Sequence, residues 1–137
     1  CVGQIKSSLV RDTIFNKLLK LNIKIPLIIS PHSYVSKHSK VDIGSIIMHG
    51  VIVNSNVKIG RNTIINSLSL IEHDVNIGSN VHIATGSRIN GGVKIGSGTF
   101  VGSGSIVFQK IEIGKNCLIP AGSIVNKNIV SNTRLSV

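Results

Sequence analysis

Aromatic residues are almost missing: the 137 residues include no Trp, one Tyr and three Phe. Globular cores usually lean on such rings, each of which buries about 150–250 Å², so this interior must be filled another way. Cysteines number two, Cys1 and Cys117, too few for a disulfide framework, and a reducing, cytoplasmic setting is the expectation. No apolar run reaches the roughly 20 residues of a membrane helix, and no signal-peptide pattern is present. Acidic residues are few, 5 against 15 Lys and Arg, giving a formal charge of +10. The basic residues are scattered, and neither a recognition motif nor a stacking aromatic set accompanies them, which argues against nucleic acid as the partner. Attraction of small phosphate-bearing molecules and a merely solvated surface are the two remaining readings of the charge.

What the chain does contain is aliphatic and periodic. Every sixth residue from Val35 to Val125 is Val or Ile without exception. Four residues after each comes a small or β-branched residue, from Ser39 and Ser45 through Cys117 and Ser123 to Ile129. A period of six fits neither a helix nor a simple strand alternation; it marks a solenoid of one short strand and one corner per repeat. Val and Ile are stiff at χ1 and suit a pleated, half-buried surface. Three strands to a turn predict an all-β parallel helix of triangular section, its coils climbing by about 4.8 Å. Gly60, Asn66, Gly78, Gly96, Gly102 and Gly114, each following an inward aliphatic residue, read as the corner positions.

The flanks are different. Residues 1–34 read as a short α/β segment, either the remnant of an N-terminal Rossmann-like unit or a cap on the solenoid. In it, Ser7 and Ser8 precede a helix running to about Leu21, with Leu9, Ile14, Leu18 and Leu21 on one side. Ile23 to Ile29 reads as a strand that Pro26 confines to an edge. The solenoid is assigned to 35–129 and a polar tail to 130–137.

A histidine serves no packing purpose in a ladder-built coil, which singles out His73, two residues past inward Ile71 and near a corner. With eighteen residues to a coil, Gly91 lies directly above His73. His82, nine residues on, lies half a turn away, with Asn66, Ser103 and Ala121 on its side. The stretch Ile71-Glu72-His73-Asp74, then Val81-His82-Ile83 and Asn90-Gly91-Gly92, resembles the sugar acetyltransferase branch of the hexapeptide-repeat acyltransferases. That branch includes sialic acid O-acetyltransferases and N-acetyltransferases of nucleotide-linked amino sugars.

The resemblance implies a left-handed β-helix, although parallel connections are generally right-handed. It implies transfer of an acetyl group from acetyl-CoA to a sugar hydroxyl or amine, by a homotrimer with the donor between neighbouring chains. His73 would be the general base and Asp74 the carboxylate that holds its tautomer, Glu72 being the lesser alternative. Gly91, through its backbone N–H, together with His82, Ser103 and Ala121, would hold acetyl-CoA, and Asn66 the acceptor. Two departures are visible: only the last portion of the family's N-terminal sugar-nucleotide domain is recognisable, and its Gly-Asn-Pro-Ala-Lys type ending is missing after Val125. A non-catalytic solenoid that has lost its acceptor domain is the alternative. The zinc-dependent relative, γ-class carbonic anhydrase, needs a His-x4-His spacing that His32, His38, His49, His73 and His82 do not supply, so no metal is expected. Cys117, an inward residue, is a poor nucleophile.

Overall fold

The computed structural model describes residues 7–136; Cys1 lies outside them. Among the described residues there are one helix, α1 (Leu9–Lys20), and seventeen two-residue strands. In each solenoid strand the first residue faces outward and the second inward, and successive coils pair in parallel with a register of eighteen residues, as in His82↔Phe100 and Ile83↔Val101. Three sheets result. The first face is built from Ile28–Ile29, Ile46–Ile47, Ile64–Ile65, His82–Ile83, Phe100–Val101 and Leu118–Ile119. The second is built from Tyr34–Val35, Ile52–Val53, Leu70–Ile71, Arg88–Ile89, Ile106–Val107 and Ile124–Val125. The third holds Lys40–Val41, Lys58–Ile59, Asn76–Ile77, Lys94–Ile95 and Glu112–Ile113. The coil of about five turns is a left-handed parallel β-helix. Its interior is one column of Val and Ile, which explains how a chain nearly free of aromatics obtains a core.

The small residues of the second set are buried too, and many carry hydroxyls. Each buried hydroxyl is satisfied by the coil above: Ser45 Oγ donates to the Gly60 carbonyl at 2.9 Å and accepts from the Thr63 N–H at 3.0 Å. Thr63, Ser69, Ser87, Thr99 and Ser105 donate in the same way to a carbonyl fifteen residues ahead. A buried hydroxyl without such a partner would be costly.

The corner assignment from sequence needs correction. The left-handed backbone falls on the third residue after each inward aliphatic from Val41 to Ile119, at Gly44, Gly50, Asn56, Asn62, Leu68, Asp74, Asn80 and onward, and not on the first. Gly60 and Gly78 serve a different end. A β-carbon there would stand 2.7 Å from the backbone nitrogens of Ser79 and Ser97, one coil up, so they let successive coils approach.

Two details before Val35 also differ from the expectation. Ile23 to Ile29 contributes only Ile28–Ile29 as strand, and this pairs with Ile46–Ile47, so the ladder begins one hexad earlier than read. Ser8 stands at the N-cap of α1 without a side-chain bond, while the Ser7 hydroxyl accepts from the Leu9 N–H at 3.2 Å. Phe15 and Arg11 are the buried residues of α1; of the four apolar residues read as one side, Leu9, Ile14 and Leu21 are exposed and Leu18 is half-buried. The helix runs along the corner between the third and first faces. Phe15 fills the space over Gly44, and Arg11 donates to the carbonyls of Asn80 and Val81 at 2.9 and 3.2 Å. Burial lowers the Arg11 guanidinium to about 10, with Asp12 opposing the shift.

Candidate active site

His73 and Asp74 occupy the corner between the second and third faces, one on the second turn position and one on the left-handed third, where Asp74 has φ 61°. Asp is among the few residues that accept this conformation at small cost. His73 Nδ1 and Asp74 Oδ2 are 2.8 Å apart. With the Nδ1–H donating to the carboxylate, Nε2 carries the lone pair and points away from Asp74. The other carboxylate oxygen, Oδ1, accepts from Asn56 Nδ2 at 2.6 Å, one coil below. The hydrogen bond from His73, then that from Asn56, holds the Asp74 carboxyl below the usual carboxylate range. Glu72 is turned elsewhere: its Oε2 accepts from Asn54 Nδ2 at 2.9 Å. Of the two acids flanking His73, the structure therefore pairs Asp74 with the imidazole.

Gly91 stands one coil above, as the eighteen-residue offset requires. The imidazole lies against its α-carbon, and Gly92 N–H donates to the His73 carbonyl at 2.9 Å. Both His73 and Asp74 side chains are more than half exposed, at 62% and 55%. The arrangement can take a proton at Nε2 next to a backbone that has no side chain to crowd a reactant.

The second group lies across the prism. His82 is on the first face, 9% exposed, its ring edge-on to Phe100 at 5.3 Å between centroids. Asn66 Nδ2 is 3.4 Å from His82 Nε2. Ser103 and Ala121 are exposed, one above the other, on the corner between the first and second faces. The structure thus joins His73, Asp74 and Gly91 in one place and His82 with Asn66 in another, and within a single chain the two groups remain apart. His32 and His49 sit together low on the first-to-second corner, rings 6.0 Å apart, with Ser30 Oγ 2.6 Å from His49 Nδ1. Among the described residues no three His, Cys, Asp or Glu side chains gather as a metal-binding group. Cys117 is buried and its Sγ–H donates to the Val130 carbonyl at 3.2 Å. Sequence reading missed Asn54 and Asn56; their signal was the same eighteen-residue offset, applied downward from Glu72 and Asp74.

Comparison with known proteins bears on the repeat architecture. The family model "Bacterial transferase hexapeptide (six repeats)" matches residues 56–91 and 74–109, and "Hexapeptide repeat of succinyl-transferase" matches 92–127. Together they cover more than half of the chain. Among solved structures, a variant of perosamine N-acetyltransferase from Caulobacter crescentus, in complex with CoA and GDP-perosamine, superposes with a TM-score of 0.92 at 26% identity, over 95% of this chain and 62% of that one. WeeI from Acinetobacter baumannii AYE gives 0.92 at 25% identity, over 97% and 65%. The acetyltransferase domain of PglB from Neisseria gonorrhoeae FA1090, in complex with acetyl coenzyme A, gives 0.92 at 24% identity, over 95% and 63%, and shows the shared fold. The chain spans less than two thirds of the length of each of these structures. No curated protein matches it by sequence. The period of six, the eighteen-residue coil and the matched repeats establish that this chain belongs to the hexapeptide-repeat transferase family.

Proposed function

We propose that the chain is the catalytic β-helix of an acetyl-CoA-dependent sugar acetyltransferase, acting on a hydroxyl or amine of a sialic acid or nucleotide-linked amino sugar. The observation that carries this reading is the hydrogen-bonded His73–Asp74 pair set against the side-chain-free Gly91, on the fold of proteins solved with CoA and GDP-perosamine. In this reading His73 Nε2 accepts the acceptor's proton as its oxygen or nitrogen attacks the thioester carbonyl. Asp74 keeps the ring in the Nδ1–H tautomer and favours the imidazolium that forms. Gly91 offers its N–H to the negative charge developing on the carbonyl oxygen. The carbon–sulfur bond then breaks, the acetyl group stays on the acceptor, and the imidazolium returns a proton to the departing thiolate. Both substrates occupy the site together, so no acyl-enzyme is needed. The cytoplasm, where acetyl-CoA is available, is the setting this chemistry implies.

The same reading assigns a homotrimer. The outward residues of the first and second faces are apolar except His82 and Arg88, whereas the third face presents Lys40, Lys58, Asn76, Lys94 and Glu112. The corner joining the two apolar faces holds no Asp, Glu, Lys or Arg, and Leu68 on it is 70% exposed. Faces of that composition suit burial against neighbours. A ring in which the second face of one chain meets the first face of the next uses one contact three times and closes. His73 and Gly91 of one chain would then look across a cleft at His82 and Asn66 of the next, with Ser103 and Ala121 flanking the acetyl-CoA path. The test is acetyl-CoA turnover by the complete gene product against a panel of amino sugars, nucleotide-linked amino sugars and sialic acids, beside its His73→Ala variant. Acetyl transfer that His73→Ala abolishes supports the reading; an intact rate in that variant defeats the assignment of the base.

A further inference from the structure

The coil below His73 supplies two asparagines, and each binds one of the two acids that flank the imidazole. Asn54 takes Glu72 at 2.9 Å and Asn56 takes Asp74 at 2.6 Å. An exposed Asp side chain on a turn is ordinarily free to rotate and meet water. Here both carboxylate oxygens of Asp74 are engaged, one by His73 and one by Asn56, so its plane is fixed. Asn56 has φ 60°, and its own left-handed corner aims the side chain up the stack. Similar asparagine contacts recur on the opposite corner, where Asn62 Nδ2 donates to Asn80 Oδ1 at 2.6 Å. That run continues from Asn80 Nδ2 to Asp12 Oδ1 at 2.8 Å and reaches no histidine; among the described residues, the Asn56 contact is the one that continues through a carboxylate to a histidine.

We propose that Asn56 is a positioning residue for the acyl transfer, holding Asp74 so that its free oxygen meets His73 Nδ1 and the ring keeps Nε2 for the acceptor. The inference rests on the reading of His73 as general base. It extends the pair to a relay of three residues drawn from two coils, Asn56 to Asp74 to His73. The bond from Asn56 favours the ionised carboxylate. Glu72 does not compete for the ring while Asn54 engages it.

Asn56→Gly is the cleanest probe, since glycine adopts the left-handed corner without strain and removes only the amide. Asn56→Asp keeps a side chain suited to the corner but sets one carboxylate against another. Two measurements apply to the complete gene product. In the first, NMR titration of the Asp74 carboxyl and of the His73 ring nitrogens needs no turnover. Asn56→Gly is expected to raise the Asp74 titration point, Asn56→Asp to raise it further, and both to mix the His73 tautomers. Asn116→Gly, the same exchange at a distant left-handed corner (φ 53°), is expected to leave both readouts unchanged. In the second, kcat of Asn56→Gly falls on the order of tenfold with KM little changed, as the loss of a hydrogen bond to a charged group implies. An unaltered Asp74 titration and an unaltered His73 tautomer in Asn56→Gly would overturn the proposal even if His73→Ala is inactive. A shifted titration with full activity in His73→Ala would instead uphold the contact and defeat the reading of the base.

Discussion

The imidazole of His73 rests on the backbone of Gly91 so closely that a β-carbon at position 91 would stand 2.8 Å from both its Cε1 and its Nε2. Two residues eighteen apart in sequence thus share one small volume, and residue 91 has to be the side-chain-free partner. Gly91 is not among the left-handed corners, so its backbone would accept alanine. In Gly91→Ala the exposed imidazole must move aside, and the expected result is a large loss of kcat with an unchanged melting temperature. Equal kcat in Gly91→Ala and wild type would show that Nε2 does not work from this position.

The pair itself sets the pH dependence. kcat/KM is expected to fall at low pH, as for any general base that must be free of its own proton, and Asp74 is held below the usual carboxylate range by its hydrogen bonds from His73 and Asn56. His73→Ala is expected to lower kcat by on the order of 10²–10⁴, and Asp74→Asn by less. Removing the anion beside the ring disfavours the imidazolium, so the acid limb of the Asp74→Asn profile moves to lower pH. A limb that moves upward would contradict the pairing.

Stability has its own sign. A carboxyl whose folded-state pKa is depressed contributes stability above its unfolded value of about 3.9, and loses it as pH falls through the folded value. The difference in melting temperature between wild type and Asp74→Asn is thus expected at neutral pH and to vanish in strong acid. It is small, because the group is exposed to solvent.

Subunit complementation tests the composite cleft. His73→Ala and His82→Ala chains are each expected to be inactive, and mixing them with subunit exchange restores part of the activity, since some mixed trimers regain an unmutated interface. Sedimentation at assay concentration is expected to give a trimer. A fully active monomer would refute the arrangement.

Core and corner substitutions separate the two kinds of structural position. Ile77→Ala or Ile95→Ala removes a ladder residue and is expected to cost about 2–5 kcal/mol by denaturant melting, against less than about 0.5 kcal/mol for Lys58→Ala. Gly86 has φ 68° with open space around its α-carbon, whereas a β-carbon on Gly78 would meet the Ser97 nitrogen at 2.7 Å. Gly78→Asn is therefore expected to be strongly destabilising, and Gly86→Asn nearly silent for the fold of the single chain, although its corner is one that the proposed trimer covers.

The inward ladder was legible in sequence because it tolerates no exceptions: each inward residue has the same neighbours above and below. The glycines were misread because turn dihedrals and close coil approach select the same residue type, and only coordinates separate Gly60 from Gly44. The packed face of α1 was misread for a related reason. Hydrophobic spacing favoured Leu9, Ile14, Leu18 and Leu21, but the helix docks on a corner, where a ring fits over Gly44 and an arginine reaches carbonyls, so Phe15 and Arg11 are buried and, of the four, Leu18 alone is half-buried. Of the site, the stacking of Gly91 over His73 followed from coil arithmetic, while the role of His73 and the choice of Asp74 over Glu72 followed from resemblance. The physical reason for that choice, Asn54 engaging Glu72, lies in side-chain contacts that periodicity does not encode.

The register of eighteen residues also quantises the gene. Duplicating one hexad between Asp74 and Gly91 would rotate everything downstream by a third of a circuit, bringing lysines where an apolar face had been and carrying Gly91 out of the His73 column. Duplicating three hexads would restore every column and lengthen the prism by one storey. Lineages carrying this scaffold can therefore change height freely only in whole storeys, and a shorter slip must be rejected or must build a different site.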